Sequence, residues 1–284
     1  MDNQLVLNAG NQKKYHHYKQ SANSLFNFMS QRQFLIEAIQ KMSLFPRYFE
    51  ENVEYLEIYY GEEQIRRVLF PMLCFCDINL HRLPFHVEGD GEHDFGYGKY
   101  GIGLDKRWCQ ENGLQPISYL NSNSTSTKLL KNAVNKSLDL HLNNHEIDSK
   151  FETYLDFTIT QLAFSKPLMG MMKRSSCDVY KNFHDEKEWR YLPDLDQTDM
   201  PTFKNDVMDQ QFHNSIATSQ LSDTLKTMDN VPLSLEIDAI NYIFIDTLED
   251  RKLILEVLKE RFETDKAMEM ASKIVVYDQI VRDW

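Results

Sequence analysis

The sequence predicts an α+β fold, in which a mixed or antiparallel sheet carries peripheral helices in a single domain. Strand-like and helix-like segments alternate along the 284 residues, but without the strict strand–helix–strand order of a doubly wound sheet. Hydrophobic residues make up 42% of the chain, which is enough for a substantial core. Because we find neither an internal repeat nor a linker, we divide the chain only into a polar N-terminal segment, residues 1–30, and an α+β domain, residues 31–284.

Hydrophobic periodicity places the main elements. Apolar residues at three- and four-residue steps predict helices at residues 33–45, 128–142, 151–174 and 249–262. Apolar runs predict strands at residues 66–78, 114–120, 188–192, 235–245 and 273–277. Pro71 favours a bent or edge strand, Pro167 favours a helix kink, and Gly113 is expected to end a short helix. Residues 46–63, which have no clean period, are expected to wrap the surface.

Charge and composition exclude several classes of protein. The net charge of −12 disfavours nucleic acid as the main ligand, since the basic residues form no long stripe. We find no apolar run long enough to span a membrane and no signal-peptide pattern, so a cytoplasmic protein is expected. The four cysteines do not form a disulfide framework, and Cys74 and Cys76 lack the second pair that a zinc site needs. We therefore predict no metal.

A glycine-rich window stands out. Five of the ten glycines lie between Gly89 and Gly101, and Gly103 follows as a sixth. The window does not match the GxGxxG dinucleotide fingerprint, because the spacing fails and the later acidic residue is missing. Glycine permits sharp turns and close approach of the backbone to a ligand or another strand. The glycine-rich window is explained either by a loop that contacts a ligand or by a turn into a packed strand. The pattern alone does not distinguish these two explanations.

Candidate acid–base residues lie in two places. His93 precedes Tyr97 by four positions, and Glu186 and Glu188 alternate in the segment HDEKEWR. Two carboxylates on one strand face would repel each other and raise one pKa. The two glutamates are explained equally well as charges that protect an exposed edge strand from aggregation. Arg190 is placed to pair with Glu188.

Three segments together resemble the AbiGi family of abortive phage-resistance proteins: 71-PMLCFCDINL-80, 93-HDFGYGKYGIGLDKRW-108 and 115-QPISYL-120. The matching positions are Cys74, Phe75, Cys76, Asp77, Leu80, His93, Tyr97, Gly98, Tyr100, Gly101, Gly103, Lys106, Trp108, Pro116 and Tyr119. The resemblance covers roughly residues 45–284. Asn79 stands where the family usually has proline, and the segment between Leu80 and His93 is longer than in the family.

The resemblance implies a part in bacteriophage defence as an antitoxin-like partner of a nucleotidyltransferase toxin, and it supplies no catalytic mechanism. We accordingly expect an interaction or sensor protein with a protein partner, a toxin or a phage component. It implies no cofactor and leaves the oligomeric state open. The residues expected to contact a ligand are Asp77, Gly98, Gly101, Lys106 and Arg190.

Two enzyme alternatives remain open. The order of His93, a tyrosine (Tyr97 or Tyr100) and Glu188 resembles in outline the His-Tyr-Glu site of ADP-ribosyltransferases, in which NAD would be the cofactor. There the aromatic ring would stack on nicotinamide, and the glutamate would stabilise an oxocarbenium-like charge. A metal-dependent nuclease using Asp77, His93 and Glu188 is a weaker alternative. Both require His93, Glu188 and their partners to meet around one pocket.

Overall fold

A computed structural model describes residues 21–89, 96–143, 149–173, 178–212 and 214–282. The helices in this part of the chain are α1 (Arg32–Lys41), α2 (Leu83–Glu88), α3 (Lys106–Glu111), α4 (Thr125–Asn143), α5 (Ser149–Ala163), α6 (Ser215–Leu225), α7 (Leu248–Arg261), α8 (Thr264–Ser272) and α9 (Tyr277–Arg282). The first strands are β1 (Ser24–Met29), β2 (Ser43–Leu44), β3 (Arg47–Asn52), β4 (Ile58–Tyr60), β5 (Glu63–Ile65), β6 (Arg67–Cys76), β7 (Tyr100–Asp105), β8 (Gln115–Pro116) and β9 (Ser118–Leu120). The later strands are β10 (Ser165–Pro167), β11 (Met169–Lys173), β12 (Asp178–Asn182), β13 (Glu188–Tyr191), β14 (Lys204–Asn205), β15 (Leu233–Ser234), β16 (Ile240–Ile245) and β17 (Ile274–Val276).

A nine-stranded mixed sheet organises the fold and confirms the α+β prediction. Seven strands follow the order β17-β16-β7-β1-β6-β13-β8, and β3 and β14 pair with β6 as well. Most pairs are antiparallel, whereas β16 and β17 are parallel. The helices lie around this sheet, as a peripheral arrangement requires.

Strand β6 is long enough to pair with different strands along its two halves, and it thereby joins two parts of the sheet. Residues 67–72 pair with β3, and residues 73–76 pair with β13. Its side chains are nearly all buried, which fits its apolar sequence RVLFPMLCFC. Of the two arrangements that Pro71 favours, a bent strand and an edge strand, the edge strand is wrong, because β6 has a partner on each side in the sheet order.

One face of the sheet packs against α1, α7 and α8 in the main hydrophobic core. Leu25, Ile102, Leu104 and Ile243 on the central strands and Leu35 on α1 are fully buried there. A second cluster lies between β6 and the α4–α5 pair, including Phe70, Val134 and Leu162. The two clusters explain why helices form at the predicted residues 128–142 and 249–262, and over most of 33–45, where α1 ends at Lys41 and residues 43–44 form β2.

Four further sequence expectations differ from the structure. Strand β1 lies in the middle of the sheet, although the first thirty residues appeared polar and weakly patterned. Residues 46–63 contribute β3, β4 and β5 rather than surface wrapping. The predicted strand at residues 114–120 is two short strands with different partners, β8 with β13 and β9 with β10.

The fourth difference concerns the helix predicted over residues 151–174. Helix α5 ends at Ala163, and β10 then runs parallel to β9 through Pro167. Pro167 has no N–H for a helical hydrogen bond, and the ring disfavours helical backbone at Lys166. The methionine-rich stretch then forms a hairpin, with β11 antiparallel to β12.

Candidate functional site

A large cleft opens where β1 separates from β6. The backbone pairing of these two strands is confined to Phe26 and Cys76. Beside this pair, the side-chain amide of Asn27 donates to the carbonyl of Cys74 at 2.9 Å, so a side chain bridges the strands where the backbone ladder ends. The cleft has a volume of about 1450 Å³.

The lining of the cleft comes from many separate segments. It includes the end of β1, the exposed face of β3, the last residues of β6, the turn at Tyr97 and Gly98, and the methionine hairpin. Such a concave site with a few converging polar groups is the usual form of a ligand-binding site. Its volume exceeds the roughly 300–1000 Å³ of ordinary small-molecule pockets.

Charged side chains form a continuous network along one wall. Glu188 on β13 accepts from Arg190 Nε at 2.6 Å and from Lys166 Nζ at 2.9 Å, each through a different oxygen. Lys166 also lies 3.4 Å from Glu186, and Lys181 Nζ lies 2.9 Å from the other oxygen of Glu186. All five side chains are at least four-fifths buried. The network is therefore largely shielded from water.

Arg190 extends this network to β3. Its guanidinium donates to Glu51 and to the carbonyl of Ala163, in addition to Glu188. The side chain is fully buried, so each of its bonds offsets part of a large desolvation cost. Lys166 contributes a further contact, because its Nζ lies 4.6 Å from the centre of the Phe183 ring.

The charges determine the ionisation of both glutamates. Burial alone would raise the pKa of Glu188, but Arg190 and Lys166 outweigh it and lower this pKa to about 2. Burial likewise opposes ionisation of Glu186, yet Lys166 and Lys181 lower its pKa. The expectation that two neighbouring carboxylates would raise one pKa is wrong, because three cations lie among them. Both are carboxylates at neutral pH.

Tyr97 closes the network on the side of the glycine-rich turn. Its hydroxyl bonds to Glu186 and lies 3.3 Å from Lys181 Nζ. Its ring stacks on His86 with centroids 4.4 Å apart, and Lys181 Nζ lies over the ring at 4.6 Å. A ligand ring that stacked on Tyr97 would have to displace one of these two groups.

The remaining predicted residues lie in other surroundings. Asp77 and Lys106 form a buried ion pair at 2.7 Å, in which Asp77 also accepts from the backbone N–H of Ala22 and Lys106 donates to Ser21. Neither is among the residues that line the cleft. Tyr100 donates to Asp250 in the first turn of α7. His93 lies outside the described residues.

The glycines serve close packing. A Cβ on Gly98 would meet the carbonyl of Met29 at 2.3 Å, and φ there is +100°. A Cβ on Gly101 would lie 2.7 Å from the carbonyl of Asn27 and 2.9 Å from the Phe28 ring. Of the two explanations for the window, packing accounts for Gly101, whereas Gly98 also lines the cleft.

Sequence analysis missed three residues of the site. Lys166 follows a helix and precedes a proline, Glu51 lies in a segment expected at the surface, and Asn27 lies in the segment set apart as polar. None belongs to a recognisable motif. The signal that was available is the alternation of Glu186, Glu188 and Arg190, of which Glu188 and Arg190 are on β13.

The two cysteines of β6 do not provide a nucleophile. Burial raises the pKa of the Cys74 and Cys76 thiols well above their ordinary value. A neutral thiol is a poor nucleophile. Both line the cleft as small apolar groups.

These features define an α+β protein with a cleft at a split in its sheet and a buried charged network along one wall of that cleft. Residues 42–246 match the family model described as "Putative abortive phage resistance protein AbiGi, antitoxin". The chain is also 34% identical over 258 residues to "Abortive phage resistance protein AbiGi" of Lactococcus lactis subsp. cremoris, covering 86% of this chain and all of that protein. The chain therefore belongs to the AbiGi family of abortive phage resistance proteins, as its motifs indicated.

Other comparisons add little. No solved structure matches the chain. Within the described residues, no helix is both long and apolar enough to cross a membrane.

Proposed function

We propose that this protein acts in anti-phage defence as an antitoxin-like or sensor component that binds a protein partner. The observation that carries the proposal is the match with an AbiGi protein over that protein's entire length, together with the antitoxin description of the family. The matched region, residues 42–246, contains the charged network. A large cleft with methionines on one wall suits a partner that inserts side chains, because methionine adapts its shape to different contacts.

The proposal is tested in bacteria challenged with phage. We expect cells that carry this chain together with its partner, a nucleotidyltransferase toxin as the resemblance implies, to reduce phage plating. Growth inhibition by the toxin alone should be relieved by co-expression of this chain. Relief should be lost with Glu188→Gln and kept with Glu111→Gln, a change at an exposed carboxylate outside the cleft lining. Unchanged growth in all combinations would contradict the antitoxin role.

A second candidate is an NAD-using enzyme of the ADP-ribosyltransferase type. One observation favours it: Tyr97 and Glu188, from distant parts of the sequence, line the same cleft. An ionised Glu188 could stabilise positive charge on a ribosyl group. Against the predicted role of Tyr97 stands its ring, which already contacts His86 and Lys181. Tyr100 contacts Asp250 and would take no part.

Calorimetry with NAD separates the second candidate from the first. If the protein is an NAD-using enzyme, we expect NAD to bind, and we expect Glu188→Ala and His93→Ala to abolish that binding. Tyr59→Phe is the control for Tyr97→Phe, because Tyr59 is exposed and does not line the cleft. Undetectable binding at millimolar NAD would exclude the transferase and leave the interaction protein.

A further inference from the structure

Among the described residues that line the cleft, one cation has no carboxylate partner. Every lining carboxylate has a cation within 4 Å. These pairs are Glu37–Lys226, Glu50–Arg67, Glu51–Arg190, Glu54–Arg66, Glu186–Lys181 and Glu188–Arg190. Arg47 also lines the cleft, and within the described part of the chain its guanidinium has neither a salt bridge nor a side-chain hydrogen bond. Arg47 is therefore the lining cation whose charge no described carboxylate neutralises.

The strand β3 explains how Arg47 is presented. Successive side chains of a strand alternate between its faces, so Arg47, Phe49 and Glu51 share one face. Tyr48 on the opposite face is 4% exposed and packs in a small core under α6, whereas Phe49 is 42% exposed. Register with β6 fixes the positions, with Arg47 opposite Met72 and Phe49 opposite Phe70.

The other two side chains on that face, Glu51 and Phe49, differ in whether they are free to contact a ligand. Glu51 is tied to Arg190, and so to the buried network. Phe49 is exposed in the cleft, and Phe45 lies near it in sequence with Lys226 Nζ 5.8 Å from its ring centre. Arg47 thus shares its strand face with the exposed ring of Phe49, and Phe45, which precedes it by two residues, lines the same cleft.

We propose that the cleft beside Arg47 and Phe49 binds a phosphate-bearing ligand with a planar aromatic ring, the chemistry of a nucleotide. A guanidinium such as that of Arg47 matches a phosphate through two parallel N–H···O bonds, and no described carboxylate neutralises its charge. Phe49 provides apolar surface for the ring. The volume of about 1450 Å³ accommodates the whole ligand. The site goes beyond the proposed defence function and requires no catalysis.

The test is calorimetric titration of the full chain with ADP, adenosine and inorganic phosphate as probes. We expect ADP to bind more tightly than either part alone. Arg47→Gln should weaken ADP binding at least about tenfold, the effect of losing a charge-assisted contact, and should affect adenosine little. Phe49→Ala should weaken both ADP and adenosine.

Arg107→Gln is the matched control, because Arg107 is an exposed arginine that, like its partner Glu111, lies outside the cleft lining. It should leave ADP affinity unchanged, and thermal unfolding should show that both variants fold. Absence of ADP binding at millimolar concentration would overturn the proposal, as would equal affinity of Arg47→Gln and wild type. Inorganic phosphate binding as tightly as ADP would overturn the nucleotide assignment. Phage plating is measured separately, so either result stands without the other.

Discussion

Residue-level chemistry in this protein centres on Glu188. Its two oxygens accept from two different cations, and its backbone N–H donates to Tyr119 at 2.6 Å. A carboxylate with so many partners is both fixed in position and held ionised. Both oxygens of Glu188 are therefore occupied. A ligand that bonds to this carboxylate would have to share one of those oxygens with Lys166 or Arg190.

Replacing Glu188 should therefore be costly for stability. Glu188→Gln keeps the shape but leaves Lys166 and Arg190 short of a buried anion, and we expect a loss of about 3–5 kcal/mol in the free energy of unfolding. Glu54→Gln, at a side chain 56% exposed and 3.8 Å from Arg66, should change it by less than about 1 kcal/mol. Urea denaturation of both variants measures this, and equal losses would show that the network contributes little.

At the scale of elements, β1 and β7 approach closely because glycine faces aromatic rings. Phe26 pairs with Gly103 and Phe28 with Gly101 across the two strands. Each glycine leaves room for the neighbouring ring, and the rings of Phe26, Phe28 and Phe244 contact one another above the sheet.

Gly101→Ala should consequently destabilise the sheet. The new methyl group would meet the carbonyl of Asn27 and the Phe28 ring, and we expect a cost of about 2–3 kcal/mol. Gly113→Ala is the comparison, because no atom lies within 4 Å of its Cβ position and only its φ of +82° opposes the change, at about 1 kcal/mol. Thermal unfolding distinguishes them, and a Gly101→Ala protein as stable as wild type would contradict the packing explanation.

For the whole molecule, the sheet requires strand β1 at its centre. Phe26 and Leu25 are buried in different clusters on the two faces. We expect a chain that begins at residue 31 to fail to fold, because β6 and β7 would lose the strand between them. Circular dichroism during heating tests this, and a cooperative transition in that truncated chain would show that residues 31–284 form a domain by themselves.

The stability of the whole molecule should also depend on pH and should fall in acid. The pKa of Glu188 is about 2 in the folded chain and ordinarily 4.5, so its stabilising contribution is complete above about pH 4.5. As the pH falls from 4.5 toward 2, protonation removes that contribution, on the order of 3 kcal/mol. Denaturation at several pH values should show a steeper acid loss in wild type than in Glu188→Gln. Parallel curves of stability against pH for the two proteins would contradict the low pKa of Glu188 in the folded chain.

The sequence by itself determined the class of fold, the family and the strand β6. Each of these depends on local pattern: apolar runs, helical periodicity, or a motif read along the chain. It also singled out Tyr97, Glu188 and Arg190, since the motif and the alternation of charges lie within short segments. The structure brings these three into one cleft or its wall.

Tertiary structure alone decided the rest of the site. Lys166, Glu51 and Asn27 reach the cleft from a parallel strand pair, a strand beside β6 and the central strand β1. Asp77 and Lys106, although they lie in family motifs as Tyr97 does, form their own ion pair outside the cleft lining. Which charges meet depends on how strands separated by a hundred residues pair, and local sequence pattern carries no record of that pairing.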